Sequence, residues 1–298
     1  MAILLTGATG FIGSAVLRTL REQGRDVVAL VRSSASADAV EAAGARAVLG
    51  EITDRDVVTH LALESDGVIH LASPGDESSA PADDAFVTAV FAGLEGSDKP
   101  YVHTGGIWIF GNGADLTEST PFDPPALTSW RLPVEARVRS AQGVKTTIIA
   151  PGIVFGHGKG IPNLVADAPR SSSADSGSAA LELIGSGEQH WTTVFVDDLA
   201  ELYVLAYDLA SAGSYYIGAS GQNPTVRELG EAASAAAGLD GRVTATTDAA
   251  ARERLGDAFA DALLLDQQAT GAAARIDLGW EPNGPSLVEE LRSGSYVR

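Results

Sequence analysis

Three glycines spaced three apart, Gly7, Gly10 and Gly13, stand in "LLTGATGFIGSA", directly after an apolar run and at the opening of an amphipathic stretch. Few patterns restrict a backbone more. Gly7 permits a tight turn, Gly10 lets the main chain approach a bound anion, and Gly13 lets helix and strand pack closely. The unpaired N–H groups of a helix start attract a pyrophosphate, so strand, glycine turn and helix in this order imply a dinucleotide site. Thr9, Phe11 and Ile12, set between the glycines, are counted with them as cofactor-binding positions.

The chain continues on the schedule that such a site needs. "AILLT", "DVVALV", "ARAVLG", "GVIHLAS", "YVHTGG" and "KTTIIAP" read as strands, separated by helical stretches such as "GSAVLRTLREQG" and "ADDAFVTAVFAGLEG". Strands that are apolar throughout are buried on both faces, which predicts an α/β fold with a doubly wound parallel sheet over residues 1–155. Residues 156–298 read as a smaller C-terminal α/β lobe for substrate, with about 190–212 ("TTVFV" and "DDLAELYVLAYDLA") returning to the sheet. Asp197 or Asp198 is expected to cap the helix of that return. The serine-rich stretch over 171–178 reads as an exposed loop.

Charge excludes several partners. The net charge is −19, with 20 basic residues against 39 acidic, and nucleic acids or anionic membranes need clustered Lys and Arg instead. The absence of Cys rules out disulfides, thiolate metal ligands and Cys nucleophiles. No apolar run reaches the ~18 residues that a membrane span requires. Only five residues precede the first Thr-Gly, too few for a secretion leader, so a cytoplasmic protein is expected. His70 and His103 fall within strands, and no pair of His has metal-ligand spacing, so no metal is expected.

At the end of the second strand, ~20 residues past the glycines, an Asp or Glu would hold the 2′-hydroxyl of NAD. Arg32 stands there, followed by Ser33. A guanidinium pairs with a 2′-phosphate through two parallel hydrogen bonds, so NADP(H) is preferred and NAD(H) remains possible.

"TGATGFIG", Gly50-Glu51-Ile52, "VIHLAS", "APGIVFGHG", "GSGEQHWTTVFVDDLAELYVLA" and "DLGWEPNGPSLVEEL" together resemble the extended short-chain dehydrogenase/reductase (SDR) family of the NAD-dependent epimerase/dehydratase type, over nearly the whole chain. The resemblance implies a Rossmann-type fold. It implies too that Glu51 and Ile52 flank the adenine, that Leu71, Ala72 and Ser73 line the adenosine and ribose, and that Pro151, Gly152, Ile153 and Val154 border the nicotinamide. A homodimer through the helices near Phe86 and Glu135 is expected on the same ground.

Departures from the family pattern fall on its chemistry. Gly106 occupies the position of a substrate-binding Ser. In "LTSWRLPVEARVR", read as a helix start, Leu127 and Arg131 occupy the positions of the Tyr and Lys of a Tyr-x-x-x-Lys motif. Ala150 and Phe195 replace a frequent Arg and His. Leu has no proton to give and an arginine keeps its own, so Arg131 is expected to anchor ribose hydroxyls or stabilise charge, as a cofactor-binding and catalytic residue. Thr104, two residues before Gly106 and on the same strand face, is the expected substitute hydroxyl and also a cofactor contact. His157, in the "GHGKG" loop, is the third catalytic candidate; His190 and Tyr216 are weaker ones from the second lobe. Trp108 and Trp130 are candidate apolar walls. The reading is an atypical NADP(H)-dependent oxidoreductase transferring hydride to or from a small carbonyl, imine or activated alkene. Its rivals are an epimerase/dehydratase acting on a sugar-type substrate, or a non-catalytic NADP(H)-binding redox sensor.

Overall fold

The computed structural model describes residues 2–172 and 178–298. Strands and helices alternate through the first half: β1 (Ile3–Thr6), α1 (Phe11–Glu22), β2 (Val27–Val31), α2 (Ser34–Ala42), β3 (Arg46–Leu49), α3 (Arg55–Glu64), β4 (Gly67–His70), α4 (Ser79–Leu94) and β5 (Pro100–Thr104). A 3-10 turn at Ile107–Phe110 and β6 (Gly113–Leu116) lead to α5 (Arg131–Ser140), β7 (Lys145–Pro151) and β8 (Ile153–Phe155). There follow α6 (Asn163–Ala166), β9 (Arg170–Ser172), β10 (Ala179–Glu182), β11 (Thr193–Phe195), α7 (Val196–Leu209) and β12 (Ser214–Gly218). The chain closes with α8 (Val226–Ala236), β13 (Val243–Thr244), α9 (Asp248–Leu255), α10 (Asp257–Leu263), β14 (Gln267–Ala269), α11 (Ala272–Leu278) and α12 (Leu287–Ser293).

Seven strands form one parallel sheet in the order β12-β7-β5-β4-β1-β2-β3. This is the Rossmann-like α/β fold, wound outward from β1 in both directions, and its switch point lies between β1 and β4, where such sheets bind ligands beyond the strands' carboxyl ends. Each face is sealed by its own apolar cluster. On one, Val16 and Leu20 of α1 meet Leu199 and Tyr203 of α7, Leu278 of α11 and Trp280. On the other, α3, α4 and α5 bring Val58, Phe86, Val90 and Val134 against Leu4, Val68 and Ile148. A third cluster, with Trp191, Leu229, Leu263 and Leu287, fills the lobe built from the later elements. Separate small sheets pair β11 with β8, β14 with β6, and β10 with β9 and β13.

Several local features differ from a linear reading. The sheet takes β12, beyond the return expected at 190–212, and Trp280 packs beneath it later still. Neither Asp197 nor Asp198 caps α7: Phe195 holds the cap position, both carboxylates lie in the first turn, and Asp198 accepts the N–H groups of Asn283 and Gly284 at 3.2 and 3.0 Å. Helix α5 begins only at Arg131, behind turns at 126–130, and Pro133 sits in its first turn, where its missing N–H costs nothing. Within the serine-rich stretch, Ser171 and Ser172 pair with β10 as strand residues, while 173–177 lie outside the described residues. Phe86 and Glu135 are fully buried within the chain, so neither is available to a second copy.

Asp198 joins the two ends of the later chain: its carboxylate holds the 283–284 turn and its carbonyl accepts the indole N–H of Trp280 at 2.8 Å. Asp198→Ala removes both turn hydrogen bonds and should lower unfolding free energy by about 1–3 kcal/mol, the worth of hydrogen bonds to a charged group. Urea unfolding followed by far-UV circular dichroism checks this; a change below about 0.5 kcal/mol would refute it.

Candidate active site

Two adjoining cavities open at the carboxyl ends of β1, β4, β5 and β7. The first, about 580 Å³, is bounded by the glycine turn, Arg32, Gly50 to Thr53 and the segment after β4. Here Gly7 takes a positive φ of 71°, and a Cβ would lie 2.7 Å from the carbonyl carbon of Leu71. At Gly13 a Cβ would stand 2.0 Å from the carbonyl oxygen of Gly7, so that residue makes room for the turn rather than touching a ligand. Helix α1 starts behind Gly10 without a side-chain cap, which leaves its first amides directed at whatever anion the cavity receives. An absent side chain at Gly7, an uncapped helix start and an open trough beside them fit a dinucleotide.

Of the expected cofactor residues, Gly7, Thr9, Gly10, Arg32, Glu51, Ile52, Leu71, Ala72 and Ser73 line this first cavity. Ser33 does not: its hydroxyl caps α2 by accepting the N–H of Ser36 at 3.1 Å, and Ser36 lines the cavity in its place. Asp76, Ser78 and Pro81 were missed. Asp76 and Ser78 sit on the short link between β4 and α4 and Pro81 in the first turn of α4, and only position after a strand end could have pointed to them.

The second cavity, about 850 Å³, shares Ser73 and Asp76 with the first. Phe11, Ile12, Thr104, Arg131 and the run Pro151 to Val154 all line it, as do Trp108 and Trp130. Arg131 donates from Nη1 to the Thr104 carbonyl at 3.0 Å, and its guanidinium lies 4.5 Å from the Trp130 ring centre. Trp108 is held from the later lobe by Phe259, edge-on at 6.1 Å. Leu127 also lines the cavity, and at Gly106 a Cβ would meet nothing within 4 Å, so the floor is open there.

Two catalytic candidates need correction. The hydroxyl of Thr104 donates to the His70 carbonyl at 2.6 Å and, its proton thus committed, accepts from the Tyr203 phenol at 2.8 Å. Both bonds run along the sheet and toward α7, so Thr104 borders the cavity without a proton to offer it. His157 does not line the cavity at all. Its backbone turns through a positive φ of 52°, and Nε2 lies 3.2 Å from the carboxylate of Asp197, which also pairs with Arg18 at 2.5 Å. His190 is likewise turned away, toward Asp266 at 2.8 Å, and Tyr216 is buried in the core.

Beneath the floor lies a charged interior that spacing does not reveal. The Tyr101 phenol meets His103 Nδ1 at 2.8 Å, His103 Nε2 faces Asp83 at 3.6 Å, and Asp83 bonds His70 at 3.0 Å. Burial drives the His103 imidazole down to about 3, so it is neutral. Burial pushes the Asp83 carboxyl up, but the His70 hydrogen bond and the facing His103, His70 and Arg131 outweigh it and leave the group below its ordinary range. Glu135, fully buried on α5, is the opposite case. Its Oε2 accepts the Tyr215 phenol at 3.0 Å, its Oε1 has no partner, and Oε1 occupies the space where Gly105 would carry a Cβ, 2.7 Å away.

Burial raises Glu135 to about 7; Asp83 adds to the rise, while Arg131, Arg139 and the Tyr215 bond oppose it. The folded chain therefore keeps a proton that the unfolded chain releases above an ordinary value of 4.5. Stability from this group is full below that value, falls as pH rises toward 7, and is flat beyond. Glu135→Gln keeps the shape and the Tyr215 contact, and should remove a decline of about 3 kcal/mol across that window. Urea titrations at pH 5 and 8 measure it; equal pH slopes for wild type and variant would show that Glu135 does not hold the proton.

The family model described as the NAD dependent epimerase/dehydratase family matches residues 3–125. An uncharacterized protein of Schizosaccharomyces pombe is 30% identical over 304 residues, covering 99% of this chain and 100% of its own. The 2-alkyl-3-oxoalkanoate reductase of Stenotrophomonas maltophilia is 26% identical over 253 residues, 77% of this chain and 73% of that protein. Among solved structures, DesIV, the dTDP-glucose 4,6-dehydratase of Streptomyces venezuelae with NAD bound, matches at a TM-score of 0.75 and 21% identity, covering 99% of this chain and 96% of that one.

Proposed function

Because this chain belongs to the NAD dependent epimerase/dehydratase family of extended SDR enzymes, we propose that it is an NADP(H)-dependent oxidoreductase acting on a small organic substrate. The observation that carries the reading is the pair of adjoining cavities: one faces the uncapped start of α1 with Arg32 at its edge, and the other is apolar with Arg131 on its wall. In this reading residues 1–155 and the return over 190–212 carry the cofactor, and the rest of 156–298 covers the substrate. The reductase name of the Stenotrophomonas relative supports the direction of chemistry.

Bound NADPH would supply a hydride with its electron pair to the substrate carbon, the carbonyl π pair moving to oxygen, which takes its proton from water. The α1 amides and the Gly7 to Gly10 turn would receive the pyrophosphate, and Arg32 the 2′-phosphate. Arg131, fixed by the Thr104 carbonyl and the Trp130 face, directs its remaining N–H groups to ribose hydroxyls or to negative charge that develops on the substrate oxygen. Leu127 and Gly106, at the positions of the family's Tyr and Ser, supply neither phenol nor hydroxyl themselves, and Gly106 leaves the floor open to bulk. A homodimer pairing α4 and α5 through exposed neighbours such as Thr88 and Ala136 completes the reading; a monomer mass by light scattering at micromolar protein would remove it.

Arg32→Asp should weaken NADPH binding by about 2–3 kcal/mol, a charge-assisted pair exchanged for a repulsion, while NADH binding holds or improves. Calorimetric titration of both cofactors reads this, and equal losses would end the role in specificity. Arg131→Met should lower kcat by ~10- to 1000-fold with the fold intact. Steady-state NADPH oxidation with circular dichroism tests it; full turnover with unchanged NADPH affinity would make Arg131 an ordinary helix arginine.

A further inference from the structure

The walls of the larger cavity narrow what it can hold. Ile107, Trp108, Leu127, Trp130, Ile153 and Ile161 give it an apolar surface. The charges on it are Asp76 and Glu77 on one side and Arg131 on the other. A nucleoside diphosphate sugar carries a pyrophosphate, which needs free guanidinium or ammonium groups or a helix start. Arg131 is the single basic residue on these walls among the described residues, and it already serves the Thr104 carbonyl and the Trp130 face. Lys159, beside Gly160, does not line the cavity. In the later lobe Arg227, Arg252 and Arg298 pair with Glu188, Asp261 and Asp167. Asp76 and Glu77 would repel the diphosphate.

One wall residue has unused capacity. Thr128 is 8% exposed, and its hydroxyl has no hydrogen-bond partner. Its backbone is satisfied, the N–H by the Pro125 carbonyl at 3.0 Å and the carbonyl by the Arg131 N–H at 3.0 Å, so the vacancy belongs to the side chain alone. Buried hydroxyls are almost always bonded, and an exception on the wall of a cavity calls for a ligand atom. We propose that this cavity takes an uncharged, largely apolar molecule with a single polar acceptor, a ketone or imine, and that the Thr128 hydroxyl donates to that acceptor. The inference rests on the cofactor reading, because the acceptor must lie beside the nicotinamide. Thr128, next in sequence to Leu127, then supplies the hydrogen bond that Leu127 cannot, without being a net acid.

The test uses the chain saturated with NADP+ and follows tryptophan emission. Trp108 and Trp130 line the cavity, whereas Trp191 and Trp280 are buried elsewhere. Three probes are titrated: 4-phenyl-2-butanone, an apolar ketone; butylbenzene, the same skeleton without oxygen; and dTDP-glucose. The ketone should quench emission saturably and dTDP-glucose should not. Thr128→Val, which keeps the side-chain shape, should weaken the ketone at least tenfold and leave butylbenzene unaffected, and Thr128→Ser should restore ketone binding. No saturable ketone binding, saturation by dTDP-glucose, or equal weakening of ketone and butylbenzene by Thr128→Val would each overturn the proposal. Calorimetry of NADPH with the wild type reports separately whether the cofactor reading itself has failed.

Discussion

One buried hydroxyl registers the cofactor end of the sheet. Thr6, at the end of β1, accepts the N–H groups of Leu71 and Ala72 at 3.1 and 3.2 Å. Its own proton is therefore left for His70 Nδ1, 2.7 Å away. That assignment places the ring proton of His70 on Nε2, where it meets Asp83 of α4 at 3.0 Å. A single side chain thus joins β1 to β4 and, through an imidazole, joins the sheet to the helix covering it. The β1–β4 backbone ladder sets the spacing of the strands, and this junction carries it past their ends, where a single added Cβ at Gly7 would collide with the segment after β4. The chain keeps a carboxylate inside for this purpose. Asp83 remains charged because His70 donates to it and the Arg131 guanidinium is near, whereas burial leads Glu135 to take up a proton.

What the sequence made legible was what short-range spacing determines. The glycine turn and the apolar strands follow from local pattern, whereas the places of Arg131 and of Pro151 to Val154 around the second cavity are what the family resemblance implied. Failures came where a side chain's partner is remote in sequence. The Thr104 hydroxyl is occupied by Tyr203, 99 residues on, and by a carbonyl on the neighbouring strand. His157 sits in a loop whose glycines suggested access to substrate, but its backbone turn delivers the ring to Asp197, 40 residues away. Helix α5 starts at Arg131, later than the helix start read at Leu127, because residues 126–130 form turns. Thr128 and Glu135 stand out only by partners they lack, and an empty valence cannot be seen in a string of letters.

The order of strands in the sheet has a consequence for biosynthesis. A chain emerging from the ribosome amino end first presents β1, α1, β2 and β3 early, yet the apolar face of α1 is closed by α7 and, last, by α11 and Trp280. The edge strand β12 is also late. Val16, Leu17 and Leu20 therefore wait, uncovered, for segments made ~200 residues afterwards, a delay of roughly 10–40 s at ribosomal rates. For that interval the face under α1 has the contacts of α1 with β1 and β2 but lacks those of α7, α11 and Trp280. Closure of that face therefore waits on segments that lie late in the chain.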